Sequence, residues 1–303
     1  MKKHTRRAFL RTSAGGAGLL AAAPSLLEAL DAGRTTSFAG SDVVTLGKTG
    51  IKVSRLAQGT GFNGGSQSSA HTRLGQEAFS RLLHHSLDEG VTFLDMADLY
   101  GSHPYVLKTV KDVPRDNLVY LSKLWPRKED WITPSGGAKR EVTRFLKELG
   151  TDHLDVCLIH CMLNDQWPTE YEHIRDELSQ LKESGEVRAV GVSCHDFGAL
   201  KVAAEHPWVD VIFARINDKG GREYSCDASA PEVAEVLKTA RANGKAVVGM
   251  KIFGAGKLVE PEEKDASLKY VFGNDLVDAV TIGMLSTDQV DDTLQRMARV
   301  RVS

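Results

Sequence analysis

Eight times after residue 50, a short apolar run gives way to an amphipathic segment. The runs are Ser54–Gln58, Val91–Ala97, Leu118–Lys123, Leu154–His160, Val187–Ser193, Val209–Ile216, Ala246–Ile252 and Ala279–Met284. Most are continuously apolar and are bounded by Gly, Asp, Asn or Pro. That is the pattern of parallel strands covered on both faces. Parallel neighbours need a long crossover, and the intervening segments supply it. Thr72–Glu89 sets Leu74, Phe79, Leu82, Leu83 and Leu87 on one helical face, and Gly137–Leu149 does the same with Val142, Phe145, Leu146 and Leu149. Pro104–Val113, Tyr171–Ser184, Phe197–Glu205, Ala230–Asn243, Glu262–Phe272 and Thr287–Arg299 complete the set. Eight such units over residues 43–303 predict an α/β fold, the (β/α)8 TIM barrel; a doubly wound open sheet is the alternative.

Local signals agree with that pattern. Ser286-Thr287-Asp288 and Thr133-Pro134-Ser135 read as helix starts, and Gly90, Gly150 and Gly244 as helix stops. Before the first unit, Val43–Leu46 and Ile51–Val53 flank the turn-like Gly47-Lys48-Thr49-Gly50. This predicts a β-hairpin at the barrel floor.

The front of the chain differs from the rest. The 303 residues carry 38 Lys+Arg and 40 Asp+Glu, a net charge of −2. Residues 1–33 hold five basic residues and two acidic ones, so the remainder is net −5. Thr5-Arg6-Arg7-Ala8-Phe9-Leu10-Arg11 leads into a weakly apolar stretch from Ala14 to Leu30. This resembles a twin-arginine export signal and implies the export machinery as a partner and a periplasmic or other extracytoplasmic location. A basic tail before an amphipathic helix is the alternative. Gly15, Gly16, Gly18, Pro24 and Glu28 argue against a permanent membrane span. Residues 34–42 read as a linker, and 43–303 as the barrel. Near-neutral charge argues against a dedicated nucleic-acid binder. Cys157 and Cys194 sit in or beside strand-like runs, where a buried thiol is expected. No metal is expected at Cys157, His160 and Cys161, whose side chains an extended strand would separate.

One motif points the wrong way. Gly59-Thr60-Gly61-Phe62-Asn63-Gly64 has dinucleotide-binding spacing and follows a strand. In that fold a helix must open at the glycines. Here Gly65-Ser66-Gln67-Ser68-Ser69-Ala70 intervenes, and the next acid, Asp95, comes roughly 30 positions on, where about 20 is expected. The glycines read better as a strand-end loop whose backbone approaches something flat.

Barrel catalysts sit at the C-terminal ends of strands. The second run ends at Asp95, with Tyr100 five residues on, the third at Lys123 and the fourth at His160. The fifth ends at Ser193, then Cys194-His195; the sixth reaches Asn217 and the seventh Lys251. Asp95 would balance and hold Lys123. A buried ammonium beside a phenol would lower the Tyr100 pKa from about 10. Tyr100 would then exchange a proton with a carbonyl oxygen, and His160 would orient that carbonyl.

These residues also carry a family resemblance. Gly90-Val91-Thr92-Phe93-Leu94-Asp95-Met96-Ala97-Asp98-Leu99-Tyr100-Gly101 resembles the aldo/keto reductase signature around the catalytic Asp and Tyr. Leu121-Ser122-Lys123 resembles the lysine strand, and Leu154-Asp155-Val156-Cys157-Leu158-Ile159-His160 the histidine strand. Gly185–Ser193 and Thr281-Ile282-Gly283-Met284 also fit, so the resemblance spans roughly residues 43–299. It implies a (β/α)8 barrel, an NADP or NAD cofactor and hydride transfer between a carbonyl and an alcohol. It implies catalytic roles for Asp95, Tyr100, Lys123 and His160. Cofactor contacts are implied for Gly59, Thr60, Ser193, Phe253, Gly254, Gly283, Ser286 and Gln289, and Lys251 is a candidate for the pyrophosphate.

Several positions depart from the family pattern. Cys194 replaces the usual Asn after the strand-five serine. The Gln that holds the carboxamide maps to Phe213, and the Tyr that stacks on the nicotinamide maps to Ile216. The basic residues that grip a 2′-phosphate map to Met284 and Gln289, which predicts weak affinity for that phosphate. The chain stops after its last helix, so the pocket wall made by the family's longer C-terminal loop is expected to be absent. Trp125, Trp131 and Trp167 are candidates to stack on a sugar or aromatic substrate, or else to pack in the core. Two rival functions stay open: a non-catalytic binding module, and a lyase or hydrolase using the same pocket.

Overall fold

The protein is described here from a computed structural model, which covers residues 36–127 and 137–302. The proposed signal, Thr133-Pro134-Ser135 and Trp131 lie outside the described residues. The strands, in chain order, are β1 (Thr36–Ser37), β2 (Val43–Thr45), β3 (Lys52–Ser54), β4 (Leu56–Gly59), β5 (Phe93–Asp95) and β6 (Val119–Leu124). They continue as β7 (Leu154–Met162), β8 (Val187–Cys194), β9 (Val211–Arg215), β10 (Ala246–Met250), β11 (Ala279–Ile282) and β12 (Arg301–Val302). β4 to β11 form the expected closed parallel barrel, with β11 pairing back to β4.

The eight strands divide their side chains by the two-residue period of a strand. Ala57, Phe93, Leu121, Val156, Leu158, Ala189, Val211 and Val248 fill the interior. Their neighbours Leu56, Leu94, Tyr120, Cys157, Ile159, Val190, Ile212 and Val247 face the helices. The hairpin closes the floor. β2 and β3 pair antiparallel, and Leu46, Ile51 and Val53 join the interior cluster with 1% exposure or less. Lys48 N–H donates to Gly244 O at 3.0 Å, tying the turn to the start of β10. A Cβ at Gly47 would meet the backbone of Lys245 and Ala246, so only glycine fits there.

The helices are α1 (Gln76–Asp88), α2 (His103–Val110), α3 (Ala138–Leu149), α4 (Trp167–Glu170) and α5 (Glu172–Ser184). After them come α6 (Phe197–Glu205), α7 (Ala230–Ala242), α8 (Pro261–Gly273) and α9 (Thr287–Arg299). α3 ends on left-handed Gly150, as its sequence predicts, and α9 starts at Ser286, whose hydroxyl accepts Gln289 N–H at 3.3 Å. Among the described residues no helix is long and apolar enough to cross a membrane.

Two expectations need correction. Gly75 breaks the segment from Thr72, leaving a short 3-10 turn at Thr72–Leu74, so Leu74 is exposed rather than on the buried face. Residues 36–42 are not a free linker. β1 pairs with β12, Phe38 stacks on Phe272 with centroids 5.1 Å apart, and Leu56 N–H donates to Gly40 O.

Candidate active site

The inward row continues upward past the apolar layers. After Phe93 the next inward residue is Asp95; after Leu121 it is Lys123; after Leu158, His160. After Ala189 come Gly191 and Ser193, and after Ala279 comes Thr281. The period that fills the floor with carbon therefore lines the mouth with polar groups.

Lys123 is 2% exposed and forms an ion pair with Asp95. Its ammonium also donates to Met96 O at 2.9 Å. Thr281 Oγ1 donates to the other Asp95 oxygen at 2.8 Å. A buried pair persists only when its spare hydrogen-bonding sites are filled, and these two contacts fill them. Tyr100 follows on a 3-10 turn, Asp98–Tyr100, that ends on left-handed Gly101. Its ring face lies 5.0 Å from the Lys123 nitrogen, and its hydroxyl lies 3.5 Å from His160 Nε2.

The flat partner of the glycine loop is Tyr100 itself. A Cβ at Gly61 would collide with the tyrosine ring, and one at Gly64 would lie 2.7 Å from its Cδ1. The dinucleotide-like spacing thus makes a backbone cradle for a side chain.

His160 is aimed by a bulge. β7 and β8 lose register between Ile159 and Met162, and Cys161 is left-handed at φ 61°. Cys161 N–H donates to Ser193 Oγ at 2.9 Å, which pins the bulge. Trp125 meets the His160 ring edge-on at 5.5 Å.

The titration states differ from the expectation at one point. Lys123 does not lower the Tyr100 phenol. Burial comes first, then the charge of Asp95, and together they push it well above its usual value. Asp95 cancels the cation that would have helped. His160 is driven far below its usual value, first by burial and then by Lys123 and other nearby cations, so it is neutral. His195 is likewise held down, to about 3, by burial and then by Arg215.

A cleft of about 320 Å³ opens over this row and runs from His160 to Asp292 on α9. Gly59, Ser193, Lys251, Phe253, Gly283 and Gln289 line it. Thr60 does not: its hydroxyl is bonded to Asp95 O and Ser102 Oγ, both at 2.9 Å. Gly254 and Ser286 also stand off the lining, the first in a short 3-10 turn and the second capping α9. Lys251 is left-handed at φ 62°, and among the described residues its ammonium has no hydrogen-bond or ion-pair partner.

The alignment of this chain with a matching family model decides its kinship: the aldo/keto reductase model covers residues 55–301. The chain belongs to the aldo/keto reductase family. That family is one of NAD(P)-dependent oxidoreductases, the enzyme class and cofactor expected above. It is 28% identical over 165 residues to the aldo-keto reductase YhdN of Bacillus subtilis (50% of this chain, 46% of that protein). It is 26% identical over 190 residues to the NADH-specific methylglyoxal reductase of Escherichia coli (57% and 58%). It is 31% identical over 137 residues to the 6-dehydroglucose reductase of Agrobacterium fabrum (39% and 44%). The chain thus spans about half the length of the curated relatives it matches. A solved aldo-keto reductase from Bacillus halodurans, in holo form, shares the fold: TM-score 0.67, 21% identity, 86% of this chain and 92% of the other.

Against the family pattern, the structure moves one position. Ile216 packs in the outer layer and does not face the cleft, so it holds no stacking place. Met250, inward at the end of β10, and Phe253 form the wall there instead. Phe213 does line the cleft, with its ring 5.0 Å from the Lys123 nitrogen. Trp167 is fully buried, donates to Ala199 O at 3.3 Å and is core. Thr281, Met250, Lys264 and Asp292 were not singled out from sequence. Strand parity marks the first two; the others come from helices and carried no signal.

Proposed function

We propose that this aldo/keto reductase reduces a small carbonyl compound to an alcohol, with Tyr100 as the proton donor. The observation that carries this is the Tyr100 hydroxyl 3.5 Å from His160 Nε2, above the buried Lys123–Asp95 pair. A carbonyl oxygen seated between the two groups would accept a hydrogen bond from each. Tyr100 is kept protonated, the form reduction needs at its start. It gives its proton to the oxygen as the carbon is reduced, and neutral His160 orients that oxygen.

The cleft suits a nicotinamide dinucleotide. Ser193 keeps its hydroxyl proton free while its oxygen accepts Cys161 N–H. Lys251, unpaired among the described residues, offers its ammonium to a pyrophosphate, and Gly59 and Gly283 line the cleft at the strand ends. When bound, the reduced nucleotide supplies the hydride. It is NAD or NADP; one relative is named for NADH. The substrate belongs to the small carbonyl compounds, and a sugar derivative is favoured by a relative named for a dehydroglucose; Trp125 stands off the cleft lining, with Arg127 over its ring at 4.7 Å.

We also propose export through the twin-arginine route, on the Arg6-Arg7 motif. That route carries folded proteins, so nucleotide would be loaded before export and exchange slowly. Protein purified from its own host should carry nucleotide detectable by mass spectrometry; a chain that binds neither NAD nor NADP would sink this.

Turnover is tested by following reduced nucleotide with a panel of aldoses and ketoaldehydes. Tyr100→Phe should lower kcat by about 10²–10⁴-fold and leave nucleotide binding intact. Unchanged turnover in that variant would reject the role. A variant without effect on any activity would favour a binding module. Substrate loss without nucleotide oxidation would favour a lyase or hydrolase.

A further inference from the structure

We infer that the far end of the cleft selects NAD(H) over NADP(H), because among the described residues its lining offers no free cation to a 2′-phosphate. This rests on the nucleotide-binding reading above and specifies it. The end in question lies between α9 and α8. The turn from β11 into α9 presents Met284, Leu285 and Gln289 to the cleft, none of them charged. Gln289 Oε1 accepts Leu285 N–H at 2.8 Å, which leaves its amide N–H groups as the available donors.

One helical turn on, Asp292 lines the same wall, and Lys264 reaches it from α8. Lys264 is the cation of that lining, and its nitrogen lies 3.8 Å from an Asp292 oxygen. Arg296 stands behind and is fully engaged. It bonds both Asp292 oxygens at 2.9 Å, Asp265 Oδ1 at 2.8 Å and Pro261 O at 2.9 Å. Two cations therefore face two carboxylates, and the group is neutral before any ligand arrives.

A phosphate monoester brings a charge of about −1.5 to −2. Here it would meet Asp292 and would have to break an existing ion pair to find a counter-charge. A ribose hydroxyl brings no charge and both gives and takes a hydrogen bond, which the Gln289 amide and the Asp292 carboxylate can match. Lys251 does not change the comparison. Its charge interacts with those of Arg215 and Lys123 rather than with Asp292, and it is the candidate for the pyrophosphate, which both nucleotides carry.

The test is an equilibrium fluorescence titration of the full chain with NADH and with NADPH at one fixed ionic strength. NADH should bind at least about tenfold tighter, which is 1.4 kcal/mol. Gln289→Arg should improve NADPH binding by about tenfold or more and weaken NADH, which loses the Gln289 amide as a partner for its ribose hydroxyl. Asp292→Asn, which frees Lys264, should move the ratio the same way by a smaller factor. NADPH binding as tight as NADH in the wild type would overturn the inference while leaving the parent reading intact. Binding of neither nucleotide would overturn both.

Discussion

The floor and the mouth of this barrel are built by the same strands under the same alternation, yet they behave as opposites. Towards the floor the inward side chains are Phe93, Leu121, Leu158 and Ala279, closed off by Leu46, Ile51 and Val53 of the hairpin, all carbon and all essentially without exposure. Two residues further along the same strands the inward side chains are Asp95, Lys123, His160, Ser193 and Thr281. The floor is stabilised by removing carbon from water. The mouth removes charge from water, which costs stability unless each charge is met. It persists because Asp95 is matched by Lys123 and Thr281, and because His160 stays neutral.

The contrast can be broken at the mouth first. Lys123→Met leaves Asp95 buried without its counter-charge. It should cost about 3–5 kcal/mol of stability in denaturant unfolding, and reductase turnover with it. A variant with unaltered stability would mean that Asp95 simply takes up a proton.

At the floor, Leu46→Ala should cost about 2–5 kcal/mol through lost burial and a cavity. KM should stay at the wild-type value, since the hairpin lies at the opposite end from the cleft. A changed KM would show that floor packing reaches the site.

A third effect concerns pH. His71 is buried, bonded through Nε2 to Met284 O at 2.9 Å and held at about 4 rather than 6.5, mainly by burial. Its unfolded form therefore binds a proton that the folded form refuses. The stability is fully present above pH 6.5 and is lost as pH falls toward 4, with a slope of up to about 1.4 kcal/mol per pH unit. His71→Gln should flatten that part of a melting-temperature profile; an equally steep profile would assign the acid sensitivity to His160 and His195.

The smallest effect sharpens the division within the mouth. Thr281→Val removes one hydrogen bond to Asp95 and should cost about 1 kcal/mol. Turnover should fall modestly, because Asp95 is then held less firmly against Lys123. Stability loss alone, with unchanged turnover, would make Thr281 a packing residue only.

Much of this was legible before any coordinates. Burial on both faces writes a continuous apolar run, so all eight strands could be read, and the hairpin with them. Parity also marks Asp95, Lys123, His160 and Ser193 as one inward row. The same parity would have excluded Ile216 and indicated Met250, because Ala214 and Ile216 share the outward face. Leu74 departs from its helical spacing because Gly75 breaks the segment before the helix begins.

Strand count, floor and the residue types at the mouth each follow from a short-range period, so the chain carries them locally. How the charges at the mouth combine is set by packing. Tyr100 is pushed up rather than down first because packing buries it and then because the Asp95 charge lies close by. Lys264 and Asp292 meet because α8 and α9 pack side by side, and no local pattern records that meeting. Electrostatic energy depends on the distances and burial of every nearby charge. Those are fixed by packing, whereas periodicity is fixed by the chain.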